Sequence, residues 1–209
     1  MTFSIVARCA ETGSFGVAVT SSSPAVAARC AYARAGVGAV ASQNVTDPRL
    51  GERALDLMGL GASAPEAVAI LRETGAHMAY RQVTAVDAKG RAAVQSGPKA
   101  LGVWAEAVGE NAACGGNLLA NEGVPKAMLE GFAAARGPLG DRLLAGLRAG
   151  LDAGGEAGPI RSAGLKLVRD VPWPVADLRV DWTEACPIAA LEDLWTLYAP
   201  QLEDYRTRA

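Results

Sequence analysis

The opening two dozen residues constrain the chain more than any other stretch. From Thr2 to Cys9, Phe3, Ile5, Ala7 and Cys9 alternate with Thr2, Ser4, Val6 and Arg8, the period of two that sends successive side chains to opposite faces of a sheet. Gly13 turns the chain back, and Phe15-Gly16-Val17-Ala18-Val19 forms a second strand leading into Ser21-Ser22-Ser23. A strand beginning this early places Thr2 inside the sheet architecture. Removal of Met1, which the small side chain after it favours, would leave the Thr2 α-amine beside its own hydroxyl, the arrangement of an N-terminal nucleophile. Where Met1 stays, the Thr2 nitrogen is an amide that cannot take the proton, and Thr2 is a polar position on the first strand.

The rest of the chain alternates between the two periods. Residues 25–34 and 37–43 are rich in Ala and Gly and read as strands whose small side chains admit another layer or a ligand. Thr46-Asp47-Pro48 starts a helix with a side-chain cap and an early proline, and Leu50, Ala54, Leu57 and Met58 supply its apolar stripe. Ser63-Ala64-Pro65-Glu66 opens a second helix with Ala67, Ile70 and Leu71 on the buried face. Period two returns over 80–87 and 91–96, a hairpin turned at Ala88-Lys89-Gly90. A short apolar segment around Trp104 leads to Cys114-Gly115-Gly116-Asn117. Helices over about 123–136 and 138–151, strands over 162–168 and 175–182, and a terminal helix bearing Ile188, Leu191, Leu194, Trp195 and Tyr198 complete the chain. Paired helices separating groups of antiparallel strands predict two stacked sheets with helices outside, an α+β fold built as a four-layer α/β/β/α sandwich, in one domain over 1–209.

Several of these segments together carry a resemblance. Thr2-Phe3-Ser4-Ile5-Val6-Ala7-Arg8, Gly16-Val17-Ala18-Val19, Ala35-Gly36-Val37-Gly38-Ala39-Val40 with Gln43, Tyr80-Arg81-Gln82, Gly116-Asn117-Leu118-Leu119-Ala120 and Ser162-Ala163 resemble an uncharacterised bacterial domain family with the N-terminal-nucleophile (Ntn) hydrolase-like fold. The resemblance spans nearly the whole chain and implies the same four-layer sandwich. It implies no reaction, because that family has no settled substrate.

Five further residues join Thr2 as candidates. Asn117 follows Gly115 and Gly116, whose amides can face an oxyanion with the Asn117 side chain as an added donor, or can simply form a turn. Gln43 and Asn44 end a strand, where amides can orient a small polar ligand or serve the following turn. Ser22, within its run of three serines, can place a hydroxyl in the same cleft or belong to a loop. Thr2 and Asn117 are thus the catalytic candidates, and Ser22, Gln43, Asn44 and Gly116 the substrate-binding ones.

Other chemistries lack their residues. His77 is the sole histidine, so no multi-histidine metal centre or HExxH element exists, and no GxSxG turn accompanies it for a serine triad. Cys9, Cys30, Cys114 and Cys186 form no CxxC pair and read as small buried hydrophobes. Neither nucleotide-binding glycine motif occurs, and no cofactor is expected. With a net charge of −2 and half the residues hydrophobic, nothing favours nucleic acid or an anionic membrane as partner. The opening residues lack the layout of a secretory signal, and the expectation is a cytoplasmic protein acting on a small molecule. Aromatic Trp173, Trp195 and Tyr198 suggest a symmetric homodimer, unless they cover the domain's own sheet. Two functions remain: hydrolysis of a small amide or related C–N bond with Thr2 as nucleophile, or a non-catalytic ligand-binding or assembly protein with Met1 intact.

Overall fold

The alternation at the start of the chain becomes the middle of a sheet. In the computed structural model, which describes residues 1–209, β1 (Thr2–Arg8) pairs antiparallel with β2 (Phe15–Ser21) on one side and with β8 (Ala112–Asn117) on the other. β9 (Ser162–Val168) and β10 (Ala176–Val180) extend the sheet beyond β2, and β7 (Ala105–Gly109) closes the far edge, giving the order β10-β9-β2-β1-β8-β7. A second antiparallel sheet holds β3 (Ala31–Arg34), β4 (Gly38–Asn44), β5 (Arg81–Asp87) and β6 (Ala92–Ser96) in chain order.

Each face of each sheet has its own apolar partner. Phe3, Ile5 and Ala7 point outward into a core shared with α4 (Val124–Ala134), α5 (Leu139–Asp152) and α6 (Pro187–Tyr198), where Met128, Leu143, Leu147, Ile188 and Leu191 are fully buried. Val6, Phe15, Val17 and Val19 point inward and meet Ala39, Ala41 and Val86 of the second sheet. On the far side Val40, Val83 and Ala85 pack against α2 (Arg49–Gly59) and α3 (Ala64–Thr74). Three apolar seams therefore join four layers, the α/β/β/α sandwich expected from the sequence. No helix is long and apolar enough to cross a membrane.

Local signals set most element ends. Ser63 Oγ accepts from the Glu66 amide at 3.2 Å while a Glu66 carboxylate oxygen accepts from the Ser63 amide at 2.7 Å, a complete capping box for α3. At α2 the Asp47 carboxylate, rather than Thr46, takes the Arg49 amide at 3.1 Å.

Four expectations need correction. Residues 27–30 form a single helical turn, α1 (Ala27–Cys30), and only Ala31–Arg34 is a strand; one turn is too short to print a helical period. The segment around Trp104 leads into β7, an edge strand whose Glu106 and Val108 face solvent. On α3, Val68 is buried where Ile70 was expected, and Ile70 is exposed. A last helix, α7 (Leu202–Arg208), follows α6. The cysteines are all free; Cys30 and Cys114 are buried, whereas Cys9 and Cys186 are half-buried.

Candidate functional site

Alternation along β1 decides which side chains enter the space between the sheets. Because Val6 points there, so do Ser4 and Thr2. Thr2 is buried, faces Asn117 across the β1–β8 pair, and brings its hydroxyl oxygen to 3.3 Å from Ser21 Oγ. Both hydroxyls donate to the carbonyl of Met1. Ser21 Oγ also accepts from the Ser23 amide at 3.0 Å.

Behind Thr2 lies a relay of amides joining the two sheets. Ser4 donates to Gln43 Oε1 at 2.7 Å; Gln43 Nε2 donates to Gln82 Oε1 at 2.7 Å and to the Gly115 carbonyl at 3.0 Å. Gln82 Nε2 donates to Ser96 Oγ at 2.7 Å and to the Gly116 carbonyl at 3.0 Å, and Asn117 Nδ2 donates to Gln82 Oε1 at 3.2 Å. These partners fix every amide's orientation. Backbone carbonyls only accept, so both glutamines must present nitrogen to them; Gln82 Oε1 then faces Asn117, which must present its own nitrogen. Asn117 Oδ1 is left buried and without a partner, in a residue with 1% of its surface exposed. A buried acceptor in that state costs about 1–3 kcal/mol, so the position favours a ligand that brings an N–H or O–H.

Gly115 makes the relay possible. A Cβ there would stand 3.0 Å from Thr84 Cγ2 and 3.3 Å from Gln82 Cδ, so the glycine lets the sheets approach closely where any side chain would press on the Gln82 amide.

The second unpartnered group comes from a loop. Glu156 follows Gly154 and Gly155, both with positive φ, and bridges to Leu119 just after Asn117. One carboxylate oxygen accepts from the Ser22 amide at 3.1 Å; Oε1 has no partner, and the residue is 6% exposed. Burial pushes its carboxyl up to about 7, opposed by the nearby α-amine of Met1 and by the bonds from Ser22.

A stability profile follows from that shift. Below about pH 4.5, the group's ordinary value, both folded and unfolded chains are protonated and Glu156 is neutral to stability. Between there and about pH 7 the folded chain holds the extra proton, so its contribution becomes progressively unfavourable as pH rises, by on the order of 3 kcal/mol in all. Glu156→Gln is expected to remove that fall. Thermal melts from pH 4 to 8 should show wild type losing ground to the variant across this window, and parallel profiles would contradict the assignment.

The sequence candidates divide into two groups. Thr2, Asn117 and Gln43 meet at the inter-sheet relay, and Ser22 joins its rim through a backbone amide, with Ser21 supplying the hydroxyl next to Thr2. Gly116 is paired on both sides, with Phe3 and with Ala105, and contributes its carbonyl to Gln82. Asn44 lies elsewhere: with φ of 74° it donates Nδ2 to the Tyr80 carbonyl at 2.7 Å, apart from the relay. His77 is exposed at a left-handed turn. Three members were missed. Ser4 and Gln82 carried a signal, polar side chains on the inward phase of otherwise apolar strands; Glu156 carried none. No group of three or more His, Cys, Asp or Glu side chains is arranged so that it could hold a metal ion.

A four-layer sandwich with a buried, incompletely satisfied polar cluster at the head of its central strand is thus the class this chain defines. More particularly, it belongs to a family of unknown function, DUF1028, whose sequence profile matches residues 2–191. A crystal structure of a DUF1028 protein from Silicibacter pomeroyi is similar to it with a TM-score of 0.87 and 31% identity, covering 94% of this chain and 88% of that one. Anbu (ancestral beta-subunit) from Yersinia bercovieri is similar at a TM-score of 0.45 and 10% identity, over 97% of this chain and 96% of that one. Comparison with curated proteins gives no match.

Proposed function

We propose that the chain hydrolyses a small amide or related C–N bond, with Thr2 as N-terminal nucleophile after loss of Met1. One observation supports this above the others: the Thr2 hydroxyl sits at the buried head of β1, facing Asn117 with its unpartnered Oδ1 and beside the Ser21 hydroxyl. The freed α-amine would take the hydroxyl proton as Thr2 Oγ1 adds to the substrate's carbonyl carbon. The C–N bond then breaks, and that proton leaves with the amine product. Water attacks the resulting ester, releasing the carboxylic acid and restoring the hydroxyl. Asn117 Oδ1 would hold an N–H of the α-amine or of the substrate, Ser21 Oγ–H would donate to the carbonyl oxygen, and Gln43 and Gln82 would keep Asn117 in place.

A second reading keeps Met1. Its carbonyl receives two hydroxyl donors, so a chain retaining it is well bonded at this point, and would be a ligand-binding or assembly protein with an acylated Thr2 nitrogen. The intact mass of the purified chain separates the two: a mass beginning at Thr2, with turnover of an amide panel, supports hydrolysis, and retained Met1 without turnover supports binding.

For either reading the partner we propose is a small molecule in the cytoplasm, with neither metal nor organic cofactor. We also propose a symmetric homodimer. Trp195 and Tyr198 are spent within the chain, on Asp141 and the Val175 carbonyl, but Leu101, Val103 and Trp104 are exposed on the loop tied to Leu118 and Leu119 beside the site. Light scattering after size exclusion should give twice the chain mass; a monomer mass would reject the dimer.

A further inference from the structure

The space around Met1 is shaped for one kind of chemical group. Its carbonyl oxygen takes the hydroxyls of Thr2 and Ser21. Its side chain lies over Gly158, with the Met1 Cε 3.2 Å and Sδ 3.7 Å from where a Gly158 Cβ would stand, and no other atom would meet that Cβ within 4 Å. Its α-amine lies in the field of the Glu156 carboxylate. Carbonyl and side chain of a single aminoacyl unit each face their own receptor, its amine has the unpartnered carboxylate of Glu156 nearby without bonding to it, and the residue is half-buried, so the space opens to solvent. A shallow cavity of about 290 Å³, lined by Leu151, Gly154, Glu156, Gly158, Pro159 and Ile160 among others, continues from Glu156 and Gly158.

We infer that loss of Met1 vacates an α-aminoacyl site, and that the substrates are amides of α-amino acids with a free amine and an unbranched apolar side chain. The inference rests on the hydrolase reading for the fate of the bond, but not for the binding. Glu156 is a 6%-exposed carboxyl whose Oε1 no group reaches even with the Met1 amine nearby, and a free substrate, not tethered to Thr2 by a peptide bond, can bring its amine closer. An ammonium group satisfies it, whereas an N-acylated substrate brings no charge and leaves the deficit in place. Ser21 Oγ–H, released from the Met1 carbonyl, is aimed where the substrate carbonyl would replace it. Gly158 sets the side-chain preference, because any larger residue there projects into the space the Met1 side chain fills.

The test uses the chain beginning at Thr2, liberated from a cleavable N-terminal fusion if it does not form unaided, and its Thr2→Ala form to suppress turnover. Calorimetric binding of methioninamide is compared with that of N-acetylmethioninamide. The free amine should bind about tenfold or more tightly at pH 7. Glu156→Gln should bring the two within about twofold. Gly158→Val, with the amine receptor untouched, should weaken methioninamide about tenfold while alaninamide changes little; each variant is first checked for a native melting transition. Equal binding of free and acetylated forms, or a preference that survives Glu156→Gln, overturns the inference. A free-amine preference without any turnover by the Thr2 chain would leave the aminoacyl site standing and remove the hydrolase reading, whereas turnover confined to acylated amides would do the opposite.

Discussion

Thr2→Ala is expected to lower amide hydrolysis at least about a thousandfold, to the level that binding and polarisation alone supply, while leaving the fold unchanged. The substitution removes a hydroxyl and a methyl from a residue whose backbone stays paired with β8, so circular dichroism should be unchanged and the melting temperature close to wild type. Thr2→Ser keeps the nucleophile and its distance to Ser21 and should retain activity within about tenfold. The pair matters more than either variant alone. Loss in both would point to packing of the Thr2 methyl, and retention in Thr2→Ala would show that the reaction proceeds elsewhere.

Gln82→Leu should produce the largest stability change of any single substitution around the site. The side chain is fully buried, and its amide joins Gln43, Asn117, Ser96 and the Gly116 carbonyl. Leucine preserves much of the volume but leaves the Asn117 donor and the Gly116 carbonyl without their side-chain partner and takes one partner from Gln43. Each orphaned buried group costs about 1–3 kcal/mol, so a combined loss of roughly 2–4 kcal/mol is expected, equivalent to a fall in Tm of roughly 5–15 °C. Urea denaturation should show the shift in midpoint with little change in slope. An unchanged midpoint would mean that the relay is no more than a wet seam. Activity should fall with stability, because Asn117 would be free to turn its side chain over.

What the sequence revealed and what it concealed follow the range of the forces involved. The β1–β2 alternation, the hairpin over 80–96 and the Ser63–Glu66 box are written within a few residues, and each appears in the structure where the pattern put it. The layering followed because paired helices between groups of strands leave few ways to cover two sheets. Thr2 and Asn117 were named separately from the two ends of a 115-residue separation, and their register partnership is a property of the sheet alone. Glu156 stayed hidden because a glutamate after two glycines looks like any solvated turn; its burial comes from the docking of that loop against Ser22 and Leu119, which no local pattern records. The single turn at Ala27–Cys30 and the edge strand Ala105–Gly109 were lost for a simpler reason: both are too short, or too exposed on one side, to show a period.

The placement of β1 between two neighbours has a dynamic consequence. Chain ends are ordinarily the first parts of a protein to fray, yet here the terminus is clamped along both edges and covered on both faces. Residues 3–7 can come free only when the whole molecule opens. The Thr2 hydroxyl, next to these residues on the same strand, therefore shares the rigidity of the deepest part of the body.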